Sequence, residues 1–78
     1  MRDSFIFYRS FYEGLKELPE KEQLELFKAI CEKAIYDNDY EPKGLAKALY
    51  ILIAPQIEAN TKRYEDGKKG GRPKKNNN

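Results

Sequence analysis

The residues best equipped for chemistry lie near the C-terminal end, and their chemistry is charge neutralisation rather than bond making. Lys62, Arg63, Lys68, Lys69, Arg72, Lys74 and Lys75 fall within residues 62–78, opposed there only by Glu65 and Asp66, for a local charge of +5. Residues 1–61 carry eight Lys/Arg and eleven Asp/Glu, a local charge of −3, so the net +2 of this 78-residue chain conceals two unlike ends. Cations at that density neutralise phosphates and displace the counterions condensed on a polyanion. Gly70, Gly71 and Pro73 keep the strand between them thin and extended. Tyr64, next to Arg63, offers a ring that can stack on a base or pack over a phosphate contact. Gln56 and Asn60 share a helix side with Arg63 and can reach base edges or phosphates, the competing reading being a polar helix end that faces water.

Other chemistry finds little footing. The chain has no histidine to act as a general base. Cys31 is the only cysteine, so no intrachain disulfide can form and a zinc site would depend on carboxylates. Its place on an apolar helix face reads as a small core residue, and a lone thiol suits a reducing cytosol. Glu13 with Glu17 and Glu22 with Glu25 are paired at helical spacing, but nothing supplies a nucleophile, its base and an orienting group together. The glycines follow a helix instead of leading into one, which is the wrong order for a phosphate-cradling loop. Asp37-Asn38-Asp39-Tyr40-Glu41-Pro42 is rich in oxygens but lacks the ligand spacing of a calcium loop. The expectation is a non-enzymatic protein with no cofactor and no metal. No apolar stretch approaches the roughly 18–20 residues that span a bilayer, and the N-terminus is not a signal peptide, so the expected location is the cytoplasm, away from membranes.

Three helices are expected to position these groups. The first begins after Ser4 as N-cap, with Phe5, Phe7, Tyr8, Phe11, Tyr12, Leu15 and Leu18 on one face about 160° wide. Those rings could stack bases, but helical spacing favours core packing. Pro19 closes that helix and takes the first position of the second, with Glu20 and Glu22 in the first turn. Leu24, Leu26, Phe27, Ile30, Cys31, Ala34 and Ile35 form the second apolar face, opposite Glu25, Lys28, Glu32, Lys33 and Tyr36. The third helix starts after Pro42 and is apolar in almost every direction from Leu45 to Ile57, the pattern of a central helix or one shared with a second copy. Pro55 is expected to kink it, and Gly67 to end it as the C′ residue. The chain therefore reads as an all-α protein, with a three-helix domain over residues 1–66 and a disordered basic tail over residues 67–78. A body of about 65 residues is marginal alone, which makes a homodimer a natural expectation.

Two resemblances sharpen the functional expectation. Gly70-Gly71-Arg72-Pro73-Lys74-Lys75 resembles an AT-hook, the short arm that enters the minor groove of A·T-rich DNA through arginine, with glycine allowing close approach. An AT-hook carries arginine on both sides of its central glycine. Gly70 stands at the first of those places, so general phosphate binding with weak sequence preference is what the resemblance implies. More broadly, Ser4-Phe5-Ile6-Phe7-Tyr8-Arg9-Ser10-Phe11-Tyr12, Leu18-Pro19, Glu22-Gln23-Leu24, Phe27-Lys28-Ala29-Ile30, Pro55-Gln56-Ile57, Ala59-Asn60 and the run from Arg63 to Pro73 resemble a family of uncharacterised phage and prophage proteins. In that family the domain often precedes an Asn/Lys-rich segment in a longer replication-associated protein, and Asn76-Asn77-Asn78 looks like the start of one. The resemblance implies a phage origin, a bacterial host cytoplasm and a DNA context, with no catalytic residue to carry over. The expected function is an accessory DNA-binding module in replication or regulation. The alternative is a protein-interaction module that binds, or binds and inhibits, a host or phage protein through its acidic helical body.

Overall fold

A computed structural model describes residues 1–69, with side chains through Gly67. Three helices make up the fold: α1 (Arg9–Leu15), α2 (Glu20–Tyr36) and α3 (Leu45–Lys69). No strand occurs among the described residues.

The direction of the chain follows from its connections. The backbone N–H of Leu45 donates to Glu22 Oε1 at the start of α2, while Lys33 Nζ near the end of α2 meets Glu58 Oε2 midway along α3. The two long helices therefore run parallel. A parallel pair needs a return segment as long as the helix it passes. Residues 37–44, at roughly 3.3 Å per residue, match the rise from Glu22 to Tyr36 at about 1.5 Å per residue. The return starts where Asp37 turns into the left-handed region (φ 54°), its N–H bonded to Lys33 O and that of Asn38 to Glu32 O. It lies along α2, with Tyr40 Oη donating to Glu25 Oε1 and Pro42 fully buried. Gly44 ends it at φ 67°, where a side chain would be strained and would crowd the Glu22 carboxylate that caps α3.

The N-terminal residues depart from expectation. Ser4 is not a helix cap. Helix α1 begins at Arg9, and Tyr8 before it is extended (ψ 151°). Phe5, Ile6, Phe7 and Tyr8 are aromatic or β-branched side chains that fit extended backbone, and the segment is held at both ends. The Arg2 N–H donates to Ile35 O, one of the carbonyls that α2 leaves unpaired at its end, and Tyr8 Oη donates to Asn60 Oδ1. Between these anchors the rings pack edge to face, with Phe7–Phe11 centroids at 5.5 Å and Tyr8–Phe11 at 5.3 Å. Residues 2–15 thus pass along α3 in the opposite direction, since Arg2 meets Tyr64, Tyr8 meets Asn60 and Gly14 meets Leu49.

The core is Phe11, Leu18, Leu26, Ala29, Ile30, Ala34, Ala46, Tyr50, Ile53 and Ile57. Lys33, expected on the wet side of α2, is buried instead. Leu24 and Phe27, expected inside, are about half exposed. One cause explains both: α3 packs on the Leu26–Ala29–Ile30–Lys33 side of α2, so the buried arc is rotated away from the Leu24 side. Pro19 is the N-cap of α2 rather than its first residue. Helix α3 continues through Pro55 and also through Gly67, which is not its C′ residue. Pro55 lies on the exposed side of the helix, where water can hydrate the carbonyl it leaves unpaired. Most of the expected tail, residues 70–78, lies outside the described residues.

Candidate functional site

The pairing of Lys33 with Glu58 puts the end of α2 level with about residue 61 of α3. From there α3 extends roughly 12 Å beyond α2, at about 1.5 Å per residue over residues 62–69. That projecting stub carries Lys62 and Arg63, both exposed. Lys68 and Lys69 close the helix, with only their backbone described, and Arg72, Lys74 and Lys75 lie outside the described residues.

The fold adds a cation that sequence spacing did not reveal. The Arg2 guanidinium sits over the Tyr64 ring, 4.2 Å from its centroid, so the N-terminus brings a further positive charge to the same end as Lys62 and Arg63. Arginine stacked on an aromatic face keeps its charge while holding the ring in place. Arg2 Nε is buried with no hydrogen-bond partner, so packing rather than polar pairing fixes that part of the side chain. Finding Arg2 required knowing that residues 1–8 are not helical. Tyr64 remains 40% exposed, so its outer edge is accessible to a ligand.

The two helper residues separate. Gln56 is exposed, whereas Asn60 is 8% exposed and its Oδ1 accepts the hydrogen bond of Tyr8 3.1 Å away. Asn60 serves the anchoring of the N-terminal segment, and its inward side chain is poorly placed to meet a ligand.

Next to the basic stub is an acidic cluster organised by one buried cation. Lys33 Nζ lies 3.1 Å from Glu58 Oε2, 3.2 Å from Asp39 Oδ1 and 3.4 Å from Asp37 Oδ1. Three carboxylates around one ammonium leave an excess of two negative charges. Burial alone would lower the Lys33 pKa, but the hydrogen bonds and charges of Glu58 and Asp39 outweigh it and raise it well above the usual lysine range. Asp39 is held below the ordinary carboxylate value, first by its hydrogen bond from Lys33 and then by that from Tyr50. Tyr50 is pushed up to about 12 by burial and by donating to the charged Asp39. The spacing Ala29, Ile30, Lys33, Asp37 contained the signal, because Lys33 stands one turn beyond buried residues and one turn before an acid.

The Cys31 thiol is half-buried and its pKa is raised by burial and by the nearby Glu32 charge. Among the described residues, no three His, Cys, Asp or Glu side chains are grouped to hold a metal ion, and no helix is long and apolar enough to cross a membrane. An apolar groove between α1 and α2 is lined by Phe7, Tyr12, Leu15, Leu24 and Phe27.

The model of a family of unknown function, DUF6291, matches residues 4–77. No curated protein and no solved structure matches the chain.

Proposed function

We propose that this chain, which belongs to the DUF6291 family, is a non-catalytic, phage-encoded accessory module that binds DNA through its basic C-terminal arm in replication or regulation. The observation that carries the reading is the meeting of cations from both ends of the chain at the projecting end of α3. Lys62 and Arg63 ride, together with Glu65 and Asp66, on a helix stub that clears the end of α2, and Arg2 joins them over Tyr64, while the acids around Lys33 lie at the base of the stub. The sequence that follows adds Lys68, Lys69, Arg72, Lys74 and Lys75 with no further acid, an excess of positive charge that attracts a polyanion. Phage origin is supported by the resemblance of the Ser4–Tyr12 and Arg63–Pro73 runs to phage proteins.

Binding of this kind is dominated by phosphate contacts and is weak per chain, on the order of 10⁻⁴–10⁻⁶ M. Electrophoretic shift of A·T-rich and G·C-rich duplexes at low salt, with the full chain and with residues 70–78 deleted, tests it. The expected result is a shift of both duplexes by the full chain and a much weaker shift after deletion. Equal shifts from both proteins would remove the arm from the account.

A second reading has its own observation. The groove of Phe7, Tyr12, Leu24 and Phe27 exposes about half of each side chain, more contiguous apolar surface than isolated exposed residues give. A protein partner docking there would make the chain an interaction module acting through its helical body. Affinity capture from host lysate with and without nuclease separates the two, since only DNA-bridged partners are lost on digestion.

A further inference from the structure

Arg2 is a cation that the fold holds in place without a counter-charge. Its backbone N–H donates to Ile35 O at 2.9 Å, and its guanidinium lies 4.2 Å from the centroid of the Tyr64 ring. At the other end of the same segment, Tyr8 Oη donates to Asn60 Oδ1 at 3.1 Å, one turn of α3 before Tyr64. Two other cations of the body are matched by acids, Arg9 by Glu13 and Lys33 by Asp37, Asp39 and Glu58. Among the described residues Arg2 makes no ion pair with a carboxylate, and its Nε is a buried donor with no hydrogen-bond partner. An unmatched charge and an unsatisfied donor in one side chain call for an acceptor from outside.

Net charge does not single this residue out. Lys62 and Arg63 share the stub with Glu65 and Asp66, and Asp3 follows Arg2 in the chain. What distinguishes Arg2 is order. An arginine that closes on a phosphate ordinarily loses much of its side-chain freedom at that moment. Here the Ile35 carbonyl and the Tyr64 ring have already restricted it. The planar guanidinium suits phosphate oxygens, and with Nε turned inward the contact falls to the terminal Nη groups.

We infer that the N-terminal segment is a working part of the polyanion site: Arg2 is a phosphate contact set in advance, and Tyr8 and Asn60 are positioning residues that hold its segment against α3. The inference rests on the nucleic-acid reading above and adds a coupling to it. A ligand that binds the docked segment better than the free one must favour docking, and docking must in turn raise affinity for that ligand. Whatever frees residues 2–8 from α3 therefore weakens nucleic-acid binding without removing a charge.

Anisotropy of a labelled duplex across a salt series tests this with the full chain, Arg2→Gln, Arg2→Lys, Tyr8→Phe and the double variant of Arg2→Gln with Tyr8→Phe, each verified as folded by circular dichroism. Loss of one phosphate contact should flatten the slope of log K against log salt by about 0.9 in Arg2→Gln. Arg2→Lys should keep the parent slope, since the charge remains. Tyr8→Phe should weaken binding by no more than Arg2→Gln does. The double variant should bind no more weakly than Arg2→Gln, because position ceases to matter once the charge is gone. The parent slope in Arg2→Gln overturns the inference, and so does an Arg2→Lys slope as flat as that of Arg2→Gln. Parent affinity in Tyr8→Phe, or a double variant whose losses simply add, overturns it too. If any of these accompanies a parent slope that deleting residues 70–78 flattens, the inference falls and the proposed function stands. A full chain with no salt-dependent binding brings down both.

Discussion

Replacing Lys33 by methionine isolates what the buried cation contributes. The substitution keeps an unbranched apolar stem of similar length and removes the charge. Lys33 is 8% exposed in its side chain, but its partners Asp37, Asp39 and Glu58 are 76%, 76% and 60% exposed. Breaking a fully buried pair costs about 3–5 kcal/mol because a charge is stranded in low dielectric. An exposed pair contributes only about 0.2–1 kcal/mol. Here the carboxylates keep most of their water, so the loss falls between these limits, at roughly 1–3 kcal/mol near pH 7, with mutual repulsion of three unscreened acids as its largest part. That is a substantial share of the roughly 3–10 kcal/mol available to a domain of this size. The sign depends on pH. Asp39 has a lowered folded-state pKa, so its contribution is present above the usual 3.8 and is lost as pH falls through the folded value. Lys33 has a raised one, so its contribution is present below the usual 10.5 and is lost as pH rises through the folded value. Urea denaturation followed by circular dichroism should therefore find Lys33→Met clearly less stable at neutral pH. The gap should close, and then reverse, once acid protonates the carboxylates and leaves Lys33 buried without a counter-charge. Equal stability at pH 7, or a deficit that stays constant into strong acid, would refute the reasoning.

Three further outcomes follow from individual contacts. Tyr8→Phe should cost about 1–2 kcal/mol in urea denaturation, because it leaves the buried Asn60 Oδ1 without its donor. Gly44→Ala should lower the melting temperature by several degrees, since the residue sits at φ 67° and its new Cβ would come within 3.1 Å of Glu22 Oε1, which caps α3. In an alkaline absorbance titration Tyr50 should ionise late, near 12. Its folded-state pKa exceeds the unfolded 10.0, so this contribution to stability is full below pH 10 and declines as pH rises through about 12. Tyr50→Phe should remove the late step and that part of the alkaline decline.

What the sequence disclosed depended on how local the determining physics was. Helix α2 was legible because Pro19, Glu20 and Glu22 mark its start and the turn-rich run from Asp37 to Pro42 its end, all within a few residues of the helix itself. The start of α1 was misjudged because Phe5, Phe7, Tyr8 and Phe11 suit either a helical face or a packed extended strand. The choice was made by partners far along the chain, Ile35 and Asn60. Lys33 was assigned to solvent by its residue type, but the side on which α3 packs decided its burial. Arg2 could not be tied to Lys62 and Arg63 by any local signal, since 62 residues separate it from the ring it covers. The charge asymmetry, by contrast, was visible at once, because it is a property of the residue order itself.

The most direct test of the account is the salt dependence of DNA affinity for the full chain, read by fluorescence anisotropy of a labelled duplex. With about five to seven cations on phosphate, log K should fall against log salt with a slope of roughly −5 to −6, and removing Arg72, Lys74 and Lys75 by deleting residues 70–78 should flatten it by roughly 2–3. Affinity that is undetectable at low salt, or a slope near zero that truncation does not alter, would contradict the claim that a cationic strand on a helical anchor engages a polyphosphate.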